Sequence, residues 1–178
     1  MMSRPRYVFL DRDGTLVHDP GYVHRVEDYR MLDGVIAGLR TLDEAGFLFA
    51  IVTNQSGIGR GLYGVPDFER FQKRLLDDLA RGGIRIDATY FCPHHPDAGC
   101  ACRKPAAGLL ERAERELDAD LARSWVVGDS TRDVEMATNA GCRSVLIAAT
   151  ASAPSALPVG TPVAPDLVEA ARIITAGT

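Results

Sequence analysis

The chain has 178 residues, of which 46% are hydrophobic and 25% charged, as is typical of a globular protein. This length predicts a single domain over residues 1–178. Twenty lysines and arginines against 24 acidic residues give a net charge of −4, so no overall positive field favours nucleic acid or an anionic membrane as a partner. Only a local positive site would hold an anionic ligand.

The first residues and the cysteines indicate a cellular compartment. The strand-like run before Asp11 is too short for the apolar core of a secretory signal, and no apolar run approaches the ~20 residues of a membrane span. We therefore expect a cytoplasmic protein, and a monomer by default. Three of the four cysteines lie within residues 92–102, which in a reducing compartment favours a metal site over disulfides.

Short apolar runs alternate with amphipathic segments along the chain. The runs predict strands at 7–10, 47–52, 88–91, 124–127 and 144–147. The amphipathic segments predict helices at about 34–45, 67–81, 106–117, 131–140 and 166–175, several of them followed by a glycine that can end a helix. This alternation predicts an α/β fold, a three-layer Rossmann-like parallel sheet with helices on both faces.

Two segments do not follow the alternation. Residues 17–30 predict a polar loop beside the end of the first strand, and residues 148–165, rich in Ala, Pro and Ser, predict a surface connection to the last helix. Ligands of parallel sheets bind outside the carboxyl ends of the strands, and the unusual polar clusters of this sequence fall at such ends. We therefore expect the functional site there.

Asp11 and Asp13 follow the first predicted strand. A helix N-cap or an Asx-turn would explain one of these carboxylates but explains two less well. In phosphoryl transfer the first can attack phosphorus, while the second passes a proton to the leaving oxygen and later takes one from water. Because an anionic nucleophile repels a phosphate, this chemistry needs a divalent cation such as Mg²⁺, which prefers oxygen ligands.

Later strand ends supply the other groups that this chemistry needs. Thr53 and Asn54 follow the second strand as possible donors to a phosphoryl group, and Lys104 offers a compact positive charge. After the strand at 124–127, Asp129 is expected to reach the metal and Asp133 to support it. The alternative for Asp129 is capping of the following helix, which neighbouring hydroxyl groups could do instead.

The segment CPHHPDAGCACRKP, residues 92–105, contains two ligand pairs. Cys92 and His94 form one, Cys100 and Cys102 the other, and together they can close a tetrahedral, structural Zn²⁺ site in a loop at about 92–102. A redox or disulfide arrangement and a metal-free packed loop are the alternatives. His95 is the competing imidazole.

Four motifs occur in a fixed order: DRDGT at 11–15, TNQSG at 53–57, RKP at 103–105 and GDSTRD at 128–133. They resemble the haloacid dehalogenase (HAD) superfamily of phosphohydrolases over about residues 6–147. The segments FLDRDGTL, GYVH, VTNQSGIGRG and the cysteine pairs before RKP are similar to the D-glycero-D-manno-heptose 1,7-bisphosphate 7-phosphatases, whose relatives include the histidinol-phosphate phosphatases. The first of these families carries a similar zinc loop, which favours His94 over His95.

The resemblance implies a role for each matching residue. Asp11 would be the nucleophile that forms a phospho-aspartate, and Asp13 the general acid/base, which also gives a backbone carbonyl to Mg²⁺. Asp129 would complete the magnesium ligands with Asp11, and Thr53 and Lys104 would hold the transferring phosphoryl group. The remaining substrate contacts would be Asp19, Pro20, Gly21, Tyr22, Asn54, Gln55, Ser56 and Arg103.

The implied enzyme is a Mg²⁺-dependent phosphatase that removes the C7 phosphate of the heptose bisphosphate, on the route to nucleotide-activated heptose for lipopolysaccharide. The intervals between the motifs leave no room for a separate cap domain. A histidinol-phosphate phosphatase on the same scaffold is the closest alternative. From other classes, a phospho-receiver signalling module also uses an aspartate, Mg²⁺, a threonine and a lysine, whereas the negative charge argues against a zinc-dependent nucleic-acid binder.

Overall fold

The computed structural model describes residues 4–148 and 157–177, and in those ranges six strands form one parallel sheet. The strands are β1 Tyr7–Leu10, β2 Leu48–Asn54, β3 Ala88–Cys92, β4 Trp125–Gly128, β5 Arg143–Ile147 and β6 Val163–Ala164. Their spatial order is β3-β2-β1-β4-β5-β6, and every neighbouring pair is parallel. The predicted parallel α/β fold is confirmed.

The helices alternate with the strands along the chain. They are α1 Val35–Glu44, α2 Ser56–Gly59, α3 Val65–Arg81, α4 Gly108–Leu117, α5 Thr131–Asn139 and α6 Leu167–Ala176. Short 3₁₀ turns lie at Val26–Asp28, Pro96–Ala98 and Leu121–Arg123. Within the described ranges, no helix is both long enough and apolar enough to cross a membrane.

Alternate residues of the strands point to opposite faces of the sheet and form two hydrophobic cores. On one face Val8 and Leu10 pack with α1, α3 and α6, whereas on the other Phe9 packs with α4 and α5. Both cores consist of buried side chains, so the sheet is covered on its two faces as a parallel sheet requires. This arrangement confirms the predicted three layers.

The structure differs from the predicted elements at two places. Val163 and Ala164 pair with β5 as a sixth strand, so the expectation of a plain surface connection over 148–165 is wrong there. Residues 149–156 of that segment lie outside the described part. In addition, the short helix α2 follows β2 directly, where the sequence predicts no element.

The sheet brings the ends of distant motifs to one edge. Strand β1 lies between β2 and β4, with Leu10 level with Ile51 on one side and Val127 on the other. The loops that follow these three strands therefore meet above the carboxyl edge. Residues 11–104, all described, contain loops, helices and strands of this one layer system and no separate cap domain.

Candidate active site

A cavity of about 310 Å³ opens at the carboxyl edge of the sheet. Most of the side chains that the motifs single out for catalysis, magnesium and substrate line it. They are Asp11, Asp13, Asp19, Gly21, Tyr22, Thr53, Asn54, Gln55, Ser56, Arg103, Lys104, Asp129 and Asp133. Pro20 is the exception, since it is exposed and lies outside the lining.

A buried ammonium group lies between two carboxylates at the floor of this cavity. Lys104 Nζ is 2.9 Å from Asp11 Oδ1 and 2.6 Å from Asp133 Oδ1. Burial by itself would lower the pKa of Lys104, but the charges of Asp11 and Asp133 outweigh it and raise that pKa above its usual value. Lys104 therefore stays charged, and Asp11 Oδ1 is further fixed by the Arg12 backbone N–H at 2.8 Å.

Three carboxylates converge at the same place. Oxygen atoms of Asp11, Asp129 and Asp133 all lie within 4.8 Å of one another, close enough to share a cation. Burial of the carboxyl group in the cavity, with the charges of Asp11 and Asp133, raises the pKa of Asp129 to about 7. Burial likewise raises the pKa of Asp133 to about 6. Such crowding of negative charge is the environment that a divalent oxygen-seeking cation stabilises.

Helix α5 explains why Asp133 faces inward. Ser130 is the N-cap, and its side chain accepts a hydrogen bond from the Arg132 backbone N–H at 3.3 Å. Asp133 Oδ2 in turn accepts from the Ser130 backbone N–H at 3.1 Å, which completes a capping box. Ser130 therefore does the capping that was the alternative role of Asp129, and the Asp129 carboxylate is left for the cavity.

A fully buried arginine holds Asp13. Arg12 donates from Nε to Asp13 Oδ1 at 2.7 Å and from Nη2 to Asp13 Oδ2 at 3.0 Å. Its guanidinium group also lies 4.6 Å from the ring centre of Phe71, so packing fixes its orientation. Burial raises the pKa of Asp13 although Arg12 lowers it, which favours a carboxyl group that can carry a proton.

Gln55 links the ends of β1 and β2. Its Nε2 donates to Asp13 Oδ2 at 2.8 Å and to Thr53 Oγ1 at 2.9 Å. Its Oε1 accepts from Arg12 Nη2 at 3.1 Å and from the Tyr63 hydroxyl at 2.6 Å. Gln55, expected to contact substrate, thus forms a buried hydrogen-bond network in the wall of the cavity.

The loop at 17–30 forms one wall of the cavity. Asp19 Oδ1 accepts a hydrogen bond from the Gly21 backbone N–H at 2.8 Å, and Tyr22, in the left-handed region at φ 56°, is exposed at the rim. His24 stacks on Tyr63 with ring centres 4.5 Å apart, and its Nδ1 lies 2.8 Å from the Tyr22 carbonyl. The loop is therefore attached to the cavity through its aromatic side chains.

Asn54 attaches the segment that carries Lys104 to β2. Its Oδ1 accepts from the Lys104 backbone N–H at 3.1 Å, and its Nδ2 donates to the Lys104 carbonyl at 3.3 Å. The Gln55 backbone N–H donates to the Cys92 carbonyl at 2.8 Å, so the start of the cysteine segment is fixed to the same strand end. Asn54 lines the cavity while it fixes the backbone at Lys104.

The cysteine segment forms a compact cluster beside the cavity. Cys92 Sγ lies 3.6 Å from Cys100 Sγ, Cys100 Sγ lies 3.6 Å from Cys102 Sγ, and His94 Nδ1 lies 3.2 Å from Cys102 Sγ. Tetrahedral zinc bonds give ligand separations of about 3.5–3.8 Å. The two sulfur–sulfur distances match this spacing, the histidine–sulfur distance is slightly shorter, and all four ligand atoms lie within 4.8 Å of one another, so a small shift of His94 would let them surround such an ion. All four cysteines are free, and His95 instead accepts a hydrogen bond from the Asp97 backbone N–H at the start of a 3₁₀ turn.

A second cavity, of about 700 Å³, adjoins the first. Arg60, Arg103 and Arg132 line it, together with Tyr22 and Ser56. Arg103 Nη1 is buried and has no hydrogen-bond partner among the described residues. The two cavities thus differ in charge, since carboxylates dominate the inner one and guanidinium groups the outer one.

Sequence reasoning gave no role to several residues of this site. Arg12 lies between Asp11 and Asp13, and only its burial shows that its side chain belongs to the site. Arg60 lies within the quoted VTNQSGIGRG segment, where its position after the glycines was a usable signal. Arg132 likewise lies within the quoted GDSTRD motif, next to Asp133, and reaches the cavities from the first turn of α5. Tyr63 carries no such signal, because it reaches the cavity through the chain that follows α2.

Comparisons with known proteins agree with this geometry. A HAD-hydrolase-like family model matches residues 101–170. The D-glycero-beta-D-manno-heptose-1,7-bisphosphate 7-phosphatase of Photorhabdus laumondii is 39% identical over 174 residues, which cover 94% of this chain and 88% of the relative. The Escherichia coli enzyme of that name is 37% identical over 171 residues, covering 92% of this chain and 85% of the relative.

A solved structure is similar over nearly the whole chain. The D,D-heptose 1,7-bisphosphate phosphatase from B. bronchiseptica, complexed with magnesium and phosphate, has a TM-score of 0.88 and 34% sequence identity, covering 97% of this chain and 99% of that one. Identity at this level over nearly full length, with the same fold, establishes kinship. The chain belongs to the D-glycero-D-manno-heptose 1,7-bisphosphate 7-phosphatase family of HAD phosphatases.

Proposed function

We propose that this chain is a Mg²⁺-dependent phosphatase that removes the C7 phosphate of D-glycero-D-manno-heptose 1,7-bisphosphate through a phospho-aspartate, within nucleotide-activated heptose biosynthesis. The activity after which its relatives are named supports the reaction. The inner cavity supports the chemistry, because it is lined by a nucleophilic carboxylate, Asp11, by an acid that can carry a proton, Asp13, and by a buried positive charge, Lys104, whose Nζ lies 2.9 Å from Asp11 Oδ1. This family membership also sets aside the receiver module and the nucleic-acid binder.

The inner cavity carries the two chemical steps. An Asp11 carboxylate oxygen attacks phosphorus and forms a P–O bond, the bond from phosphorus to the C7 oxygen breaks, and that oxygen takes the proton of Asp13. Asp13, now a carboxylate, then takes a proton from water, whose oxygen attacks phosphorus as the Asp11–phosphorus bond breaks. Lys104 and the Thr53 hydroxyl hold the phosphoryl oxygens. Asp11 is restored and inorganic phosphate leaves.

The carboxylates of Asp11 and Asp129 are proposed to bind Mg²⁺ with the Asp13 backbone carbonyl, and Asp133 to support them. The fit rests on the three convergent carboxylates and on the raised pKa of Asp129, which burial and then the charges of Asp11 and Asp133 cause. Magnesium would neutralise the charge between an anionic nucleophile and an anionic substrate. Its presence with phosphate in the B. bronchiseptica relative supports this choice of ion.

The outer cavity is the observation that carries the choice of substrate. Three arginine side chains, Arg60, Arg103 and Arg132, surround it, and Arg103 Nη1 is a buried donor that lacks a partner among the described residues. Guanidinium groups match a phosphate in charge and geometry. A heptose bisphosphate whose C7 phosphate occupies the inner cavity can extend its second phosphate there. Histidinol phosphate would instead bring an ammonium group toward the three arginines, which is unfavourable.

The comparison of these two substrates tests the proposal. We expect kcat/KM for heptose 1,7-bisphosphate to exceed that for histidinol phosphate, and we expect Arg103→Met to reduce the difference by at least about 10-fold, because it removes a charge-assisted hydrogen bond. Arg112→Met is the matched control, since Arg112 pairs with Glu116 on the exposed face of α4. A kcat/KM for histidinol phosphate equal to or higher than that for heptose 1,7-bisphosphate would refute the heptose assignment. The α and β anomers are measured separately.

We propose that Cys92, His94, Cys100 and Cys102 bind a structural Zn²⁺. Four ligand atoms within 4.8 Å of one another support a closed tetrahedral site, which leaves no open position for catalysis. We also propose a cytoplasmic monomer without nucleic-acid or membrane partners. The free cysteines fit a reducing compartment, and the net charge of −4 gives no overall positive field for nucleic acid or an anionic membrane.

A further inference from the structure

We propose that Gln55 is a positioning residue that orients the acid/base Asp13 and the Thr53 hydroxyl, and that it makes no hydrogen bond to the substrate. The inference rests on the phosphatase function proposed above and assigns to Gln55 a different role from the substrate contact expected from its motif. It also identifies the Asp13 oxygen that carries the transferred proton.

The hydrogen-bonding capacity of Gln55 is fully used by the protein. A glutamine amide offers two N–H donors and two lone pairs on its oxygen. Both donors are taken, by Asp13 at 2.8 Å and Thr53 at 2.9 Å, and both lone pairs accept, from Arg12 at 3.1 Å and Tyr63 at 2.6 Å. Gln55 is also 1% exposed. No polar valence of this side chain remains for a sugar or a phosphate.

The orientation of the Gln55 amide follows from its neighbours. A guanidinium group can only donate, so the atom facing Arg12 must be the amide oxygen. The atom facing the Asp13 carboxylate must be the amide nitrogen for the opposite reason. A flipped amide would place donor against donor at Arg12 and acceptor against acceptor at Asp13. The network therefore has one arrangement.

This arrangement has a consequence for each catalytic neighbour. Because Thr53 Oγ1 accepts from Gln55, its own proton remains free to be donated into the cavity, where the phosphoryl group is proposed to bind. Asp13 Oδ2 receives hydrogen bonds from both Gln55 and Arg12, whereas Oδ1 receives one, from Arg12 Nε. Since each carboxylate oxygen has about two acceptor sites, the open site lies on Oδ1. We assign the transferred proton to Asp13 Oδ1.

Leaving-group dependence separates this role from a purely structural one. A sugar alkoxide leaves only if a proton is delivered to it, whereas p-nitrophenolate is stable enough to leave without one. The value of kcat/KM includes steps up to release of the leaving group, so it reports this proton transfer. We therefore measure kcat/KM for heptose 1,7-bisphosphate and for p-nitrophenyl phosphate. A weakened Thr53 donor affects both substrates, so the ratio of the two losses isolates Asp13.

The main variant is Gln55→Met, which keeps the length of the side chain and removes its polar atoms. Gln72→Met is the matched control, because Gln72 is also buried but donates to Thr89 beneath α3, away from both active-site cavities. Asp13→Asn serves as the reference for loss of the acid. Tyr63→Phe, which removes only one support of the amide, is the second variant should Gln55→Met fail to fold. Thermal unfolding verifies each protein.

We expect Gln55→Met to lose at least about 10²-fold more kcat/KM on the heptose bisphosphate than on p-nitrophenyl phosphate, within the range that general acid catalysis contributes. Asp13→Asn should show the same preference, Tyr63→Phe a smaller one, and Gln72→Met none. If the Gln55 and Tyr63 variants lose kcat/KM equally on both substrates while Asp13→Asn loses more on the heptose bisphosphate, the proposed phosphatase function stands and the role of Gln55 is refuted. A raised KM at unchanged kcat for Gln55→Met also overturns it. Equal losses for Asp13→Asn refute the acid/base role of Asp13, and the inference falls with it.

Discussion

The buried ammonium group of Lys104 holds two like charges together. Nζ lies 2.9 Å from Asp11 Oδ1 and 2.6 Å from Asp133 Oδ1, and the side chain is 3% exposed. Lys104→Met keeps the length of the side chain but leaves two carboxylates facing each other without their cation. Removal of one partner from a buried ion pair costs about 3–5 kcal/mol, so we expect a loss of stability in that range. Added magnesium should restore part of it.

A double-mutant cycle with Asp133→Asn tests this electrostatic explanation. Urea unfolding is measured for the wild type, the two single variants and the double variant, without chelator, so that the proposed zinc is kept, and without added magnesium. Because the double variant removes one of the stranded carboxylates, we expect it to be more stable than the sum of the single effects predicts, by about 1.5 kcal/mol or more. Lys73→Met, at an exposed pair with Asp77, is the control and should cost less than about 1 kcal/mol. Additivity within about 0.5 kcal/mol would refute the reasoning.

Zinc removal, a substitution at Gly14 and a change of pH should each alter the protein in a measurable way. Removal of the proposed zinc, or Cys102→Ser, should lower kcat/KM before the domain unfolds, because the cysteine cluster directly precedes Lys104, the residue proposed to hold the phosphoryl group. Cys142→Ser is the control, and full activity of a zinc-free protein contradicts the coupling. Gly14→Ala should weaken magnesium binding, measured by calorimetry. Gly14 has φ +79°, and a Cβ there would lie 1.9 Å from Asp129 Oδ2, so Asp129 would have to move. An unchanged affinity for magnesium contradicts this prediction. Without magnesium, the carboxyl groups of Asp129 and Asp133 have pKa values of about 7 and 6 in the folded protein, so between about pH 4 and 7 they bind protons that the unfolded chain has already lost. The free energy of unfolding should therefore fall as pH rises from about 4 to 7. A rise over that window, measured by urea unfolding, contradicts this prediction.

The order of the elements was predictable from sequence because apolar runs and helix-ending glycines mark them. The two-residue strand at Val163 and Ala164 was not, since it is too short for a periodic pattern and forms only where β5 offers a free edge. The motifs likewise placed Asp11 and Lys104 in one site, because parallel strands end at the same edge.

Burial and mutual contact were not predictable from the motifs. Arg12 and Gln55 are polar residues of a kind usually found at the surface, and only the packing of Phe71 and Tyr63 against them shows that their polar groups are directed into the protein. The outer cavity depends on Arg132, which reaches it from the first turn of α5. The other two arginines of this cavity, Arg60 and Arg103, come from distant parts of the chain, so their spacing in the sequence does not show that the three lie together.

The most direct test of the account is a ³¹P NMR time course with heptose 1,7-bisphosphate and magnesium. We predict that the C7 phosphate signal is replaced by inorganic phosphate while the C1 phosphate signal persists, and that Asp11→Asn, folded as the wild type is, produces no change. Loss of the C1 signal first, or turnover by Asp11→Asn, would contradict the proposed site and its nucleophile.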